Sequence, residues 1–93
     1  MSDVLNSKAM YLGIYSLEKV LFRGEASSVN CNTESGEITI LDHHRPLISL
    51  LAKGVVKVID AERKEHYIPV HSGFVEVRKG NEAKMLVEED RSI

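Results

Sequence analysis

Four histidines, His43, His44, His66 and His71, are the side chains best suited to ligate a metal or move a proton near neutral pH. A metal centre needs three or four ligands converging on one point. His43 and His44 are adjacent, so a strand would send them to opposite faces, and no second His at i+4 on a helix and no paired cysteines support them. Polar loop or surface roles fit these histidines better. The single cysteine, Cys31, falls on the apolar phase of its segment, where burial raises a thiol's pKa and leaves it inert. Ser27, Ser28, Ser49 and Ser72 lack a Gly-x-Ser-x-Gly elbow. The six glycines are scattered, and none opens a phosphate loop ahead of a helix. Glu88-Glu89-Asp90 reads as a solvated charge run. These residue types point to a binding domain, not an enzyme, with no catalytic residue, metal or cofactor expected.

One segment stands apart. From Ser35 to Ile48 a strand-like run ends in a polar knot of Asp42, His43, His44 and Arg45, and Pro46 then fixes the chain before an apolar run resumes. Pro46 disfavours helical geometry at Arg45 and stiffens the exit of the loop. By composition alone this is an ordinary connection between strands. The sharper reading is a rigid polar tip that offers charge and hydrogen-bonding groups to another protein.

The elements that would carry such a tip are β-strands. From Met10 onward the apolar pattern has period two: Leu12 and Ile14, Val29 and Cys31, Ile38 and Ile40, Ile68 and Val70, Val75 and Val77, Met85 and Val87. Turn signals fall at Arg23-Gly24, Glu34 to Gly36, Lys53-Gly54, Asp60 to Lys64, Ser72-Gly73 and Lys79 to Asn81, with Gly80-Asn81 marking a tight hairpin. Pro69 cannot donate to a ladder, so its strand is expected to lie at an edge or to be bulged. Leu47 to Ala52 fits either a short helix or a strand. Residues 1–9 read as a flexible leader, 10–89 as an all-β domain and 90–93 as a tail.

With 93 residues there is room for one core, and many short strands with regular turns indicate a sandwich or barrel. Twelve basic against fourteen acidic side chains leave a formal charge of −2, and aromatics are few, so neither a basic face nor a base-stacking platform for nucleic acid is expected. No apolar run is long enough to span a bilayer or to form a signal core. A cytoplasmic chain is expected, held near any membrane by other proteins.

Gly36-Glu37, a short β run, and then His44-x-Pro46-Leu47 resemble the Gly-Glu…Gly-His-x-Pro-Leu signature of the epsilon subunit of rotary ATP synthases. Phe22-x-Gly24, Lys53-Gly54 with Val55-Val56, and Ser72-Gly73-Phe74-Val75-Glu76-Val77 are similar to further family motifs in the same order, from about Tyr11 to Glu89. Two positions depart from the pattern: His43 stands where the family has glycine, and Asp42 where it has proline. The family usually continues into a C-terminal hairpin of two helices, whereas this sequence stops at Ile93 after the last strand, so regulation or ATP sensing through that hairpin is not expected of it.

The resemblance implies a flattened sandwich of two roughly five-stranded sheets that catalyses nothing. It implies a rotor subunit on the cytoplasmic face of the inner membrane, docked on the gamma subunit and the membrane ring and coupling ion flow to ATP synthesis or hydrolysis. It further implies an interface of Glu37, Asp42, His43, His44, Arg45, Pro46, Leu47 and Ser49, with Glu37 facing the ring loops. Two other readings remain open from sequence: a free-standing β domain whose histidines bind a metal or a small acid, and a generic scaffold sandwich.

Overall fold

The computed structural model describes residues 9–91, so residues 1–8 of the expected leader and 92–93 of the expected tail lie outside it. Seven strands follow one another: β1 (Met10–Tyr15), β2 (Val20–Thr33), β3 (Gly36–Leu41), β4 (Leu47–Leu51), β5 (Gly54–Asp60), β6 (Glu65–Arg78) and β7 (Glu82–Glu89). The all-β expectation holds. Leu47 to Leu51, ambiguous by periodicity because Leu-Ile-Ser-Leu-Leu is nearly all apolar, is a strand paired with β6.

Two expected turns are not turns. Arg23-Gly24 and Ser72-Gly73 lie inside the long strands β2 and β6. The glycines there bend a strand and do not end it, as glycine in a strand interior often does. The buried phase of β2 runs through Ala26 and then shifts to Val29, Cys31 and Thr33. Its pairing with β5 slips at the same place, between Ala26 and Ser28. In β6 the buried phase runs Ile68, Val70 and then Val75, Val77, with a slip against β7 between Val70 and Ser72. One extra residue in a strand moves its inward set to the other face, so each long strand crosses from one layer of the fold to the other. One layer therefore runs β4, the second half of β6, β7, β1 and the first half of β2. The other runs β3, the second half of β2, β5 and the first half of β6. The β1–β7 pair is parallel and the rest are antiparallel.

At Gly73, φ is +152°, and an added Cβ would meet the Leu86 carbonyl oxygen at 2.2 Å. Only glycine fits the bend against the neighbouring backbone. Pro69 lies opposite Val55 of β5, and its carbonyl accepts from the Asp90 N–H at 3.0 Å on the other side. The N and C=O of a strand residue face the same edge, so the missing N–H falls on the side away from β5. Pro69 thus sits where the β7 ladder ends, one residue before a bulge, which meets the bulged alternative of the expectation.

Met10, Leu12, Ile14, Val29, Cys31, Ile40, Val58, Val70, Val75 and Met85 fill one core between the layers. Ile68, Val77 and Val87 are buried in the same core, so of the inward residues read from the period-two pattern only Ile38 is left half-buried at its margin. The hairpin signals at Asp60–Lys64 and Gly80-Asn81 mark the β5–β6 and β6–β7 connections, with Arg63 and Asn81 in the left-handed region.

Candidate docking site

The polar knot forms a turn after β3, not an extension of the strand. The His44 N–H donates to the Leu41 carbonyl at 3.2 Å, and His43, third of the four residues, has φ of 60°. A β-turn with positive φ at its third position normally takes glycine or asparagine. That explains why a glycine would be expected where this chain has His43. The strain of a side chain there is met by two local bonds. The His43 N–H donates to Asn81 Oδ1 at 2.6 Å, and the His43 ring Nδ1 lies 2.9 Å from Asp42 Oδ2. His44 Nδ1 donates to the Arg45 carbonyl at 2.7 Å, which leaves Nε2 as the ring nitrogen without a bond among the described residues. The loop is thus braced before Pro46 stiffens its exit.

The expected interface residues do not all come together. Asp42, His43, His44, Arg45 and Pro46 share this loop. Glu37 lies at the opposite end of β3, paired with Asn32 next to the Gly36 turn, roughly 17 Å away along the strand at about 3.3 Å per residue. Glu37 and Arg45 are both exposed, and neither side chain has an ion pair or hydrogen bond among the described residues. Leu47 and Ser49 occupy the inward phase of β4, opposite the buried Val77 and Val75, and Leu47 packs against the core.

The outward phase of β4 is Ile48 and Leu50, 74% and 56% exposed. This opens onto a feature that residue order alone does not show. Leu50 is paired with Phe74, Phe74 with Leu86, Leu86 with Tyr15, and Tyr15 with Val20. A single apolar row therefore crosses β4, β6, β7, β1 and β2 on the outer face, with Leu50, Phe74, Leu86 and Val20 all exposed. Polar positions flank it: Glu76 opposite Lys84 on one side, and Ser72 bonded to Glu88 at 3.1 Å on the other. A groove of about 540 Å³ bounded by Pro46, Ile48, Glu76, Arg78 and Lys79 joins the row to the loop. A contiguous apolar face with a polar rim is the anatomy of a protein contact.

The rest of the surface offers little chemistry. Cys31 is buried, and burial pushes its thiol up to about 11, which suits packing and not attack. His66 Nε2 lies 2.9 Å from Asp60 Oδ2 and edge-on to Phe22, far along the chain from His43 and His44, and His71 lines a different cavity. That cavity, about 610 Å³ at the far end of β1 and β7, is lined by carboxylates already engaged: Glu89 with Lys19 at 4.0 Å, and Glu18 with Arg91 at 3.1 Å. Among the described residues no group of three or more metal-ligating side chains converges. No helix among them is long and apolar enough to cross a membrane.

Comparison with known proteins agrees with the resemblance. The family model described as the ATP synthase delta/epsilon chain β-sandwich domain matches residues 9–90. The ATP synthase epsilon chain of Bordetella avium is 40% identical over 72 residues, which is 77% of this chain and 51% of that one. The epsilon chain of Chlorobaculum tepidum is 36% identical over 84 residues, covering 90% of this chain and 94% of that one. The chain spans about half the length of the Bordetella relative but nearly all of the Chlorobaculum one. Among solved structures, a chain of the Euglena gracilis mitochondrial ATP synthase, in a structure that includes the c-ring, superposes with a TM-score of 0.80 at 17% identity, over 86% of this chain and 51% of that chain. One from the Tetrahymena thermophila mitochondrial ATP synthase central stalk and c-ring gives 0.74 at 15%, over 86% of this chain and 63% of that chain. At such identities the last two show a shared fold. A family model that matches residues 9–90, together with a 36% identical relative covered over 94% of its length, makes this protein a member of the ATP synthase delta/epsilon family through its β-sandwich domain.

Proposed function

We propose that this chain is a non-catalytic rotor subunit of an ATP synthase, docked on the gamma subunit and the membrane ring so that rotation passes between them without slip. The observation that carries the reading is the apolar row from Leu50 to Val20, continuous through the Pro46–Lys79 groove with the braced loop. Strand β4 is apolar on both faces, as strands covered on both sides are, yet its outer face is bare. A shaft packed on that face would bury the row. The loop residues Asp42 to Pro46 would then meet the junction of shaft and ring, and the free carboxylate of Glu37 would meet basic groups on ring loops.

A stiff β domain suits this work because close packing transmits strain and does not absorb it. Single exposed ion pairs contribute little, on the order of 0–1 kcal/mol each, so the apolar row supplies most of the affinity and the charges set orientation. Association with the membrane follows from the complex and needs no inserted segment. The metal-site alternative loses its support, because the four histidines are dispersed over the loop, the β5–β6 hairpin and the far cavity.

The charged contacts are tested by titrating the purified gamma subunit, assembled with its membrane ring, with the wild-type chain and with Glu37→Lys and Arg45→Glu. Each variant should bind several-fold more weakly with an unchanged melting temperature. Wild-type affinity in both variants would remove these two residues from the interface.

A further inference from the structure

We infer that Asn81 is a positioning residue for the docking loop, acting through His43 from the other end of the sequence. Asn81 occupies the β6–β7 hairpin turn with φ of 62° and is only half-buried. Its side chain is used at both ends. Oδ1 accepts from the His43 N–H at 2.6 Å, and Nδ2 donates to the Ala9 carbonyl at 3.0 Å. Its own backbone carbonyl accepts from the Tyr11 N–H at 3.0 Å. Two segments, the docking loop 38 residues away and the entry to β1 72 residues away in sequence, are therefore tied to the hairpin turn through one side chain.

The chemistry of this position is demanding. It needs an acceptor for an N–H and a donor for a C=O, at the reach of a short side chain. It also needs a residue that tolerates left-handed backbone. Asparagine meets all three conditions. Aspartate offers the acceptor but no donor, and serine and alanine are too short to span the two groups. The bond to His43 matters because the third residue of such a turn presents its N–H outward, away from the turn's own hydrogen bond. With glycine at that position the turn forms at no steric cost. With His43 there, the left-handed geometry costs on the order of 1 kcal/mol or more, and Asn81 supplies a compensating bond. Asn81 thereby fixes the direction in which His44, Arg45 and Pro46 leave β3. The inference rests on the docking function proposed above.

The test uses the whole chain. Asn81→Gly keeps the left-handed backbone accessible while removing both side-chain bonds, and Asn81→Asp removes only the donor. Amide exchange by NMR should show His43 exchanging at least tenfold faster in Asn81→Gly, with the core amides of Val29 and Cys31 unchanged. In Asn81→Asp the His43 amide should stay protected. Affinity for purified gamma should fall about tenfold in Asn81→Gly. That loss should shrink when the same change is made in a His43→Gly background, because glycine at 43 no longer needs the brace. Unchanged His43 exchange in Asn81→Gly would overturn the inference, as would faster exchange with affinity unaltered. A wild-type chain that does not bind gamma would instead remove the docking function, and the positioning role with it.

Discussion

At the scale of single residues, His43 and Asp60 show how side chains hold backbone that the chain would not otherwise choose. His43 has a left-handed backbone of φ 60°, a geometry that glycine adopts without steric cost. Its pairing with Asp42 is exposed and contributes little. His43→Gly is therefore expected to raise stability by up to about 1 kcal/mol, or a few degrees in melting temperature. A lower melting temperature would show that the imidazole contributes more than its backbone costs. Asp60 caps the β5–β6 turn: Oδ1 accepts from the N–H groups of Glu62 and Lys64 at 2.8 and 2.9 Å, and Oδ2 meets His66. The His66 bond first, and then the Lys64 N–H, hold its carboxyl below the usual range. A group whose folded pKa is depressed stabilises the fold above its unfolded value of about 3.9, and that contribution is lost as pH falls through the folded value. The stability difference between wild type and Asp60→Asn should shrink as pH falls from about 5 toward 2. A difference that does not change between pH 6 and pH 2 would contradict this reading.

Individual strands were legible in the sequence because each short run keeps one inward phase. Leu12 and Ile14, Val29 and Cys31, and Met85 and Val87 point inward as their alternation requires. What alternation cannot show is that two runs of opposite phase belong to one strand. Val20–Thr33 and Glu65–Arg78 each contain a bulge at which the inward set changes face, and the glycines nearby imitate turns. The polar loop is legible as a loop, but the resemblance assigns Glu37 and His44 to one interface without showing how far apart they stand. A strand carries its ends apart, and the two lie at opposite ends of β3. Asn81 carried the signal of a hairpin turn and nothing more, since its partners His43 and Ala9 are distant in sequence. The apolar row was invisible for the same reason: Leu50, Phe74, Leu86, Tyr15 and Val20 come from different strands. Each looked like a lone outward residue until strand register aligned them.

For the whole molecule, the proposed docking engages the outer face of one layer and not only the loop. The row lies outside the core, so polar replacement should spare folding while removing the apolar area that drives docking. Contacts near the centre of such a patch carry most of the binding energy, typically 1–2 kcal/mol or more apiece. The most direct measurement is calorimetric titration of purified gamma subunit into the wild-type chain and into the double variant Leu50→Ser/Leu86→Ser, each with its melting temperature recorded. Tight wild-type binding and a loss of roughly 100-fold in the variant are expected, with melting temperatures within a few degrees of one another. Equal affinity for the two proteins, with both folded, would contradict the proposed docking.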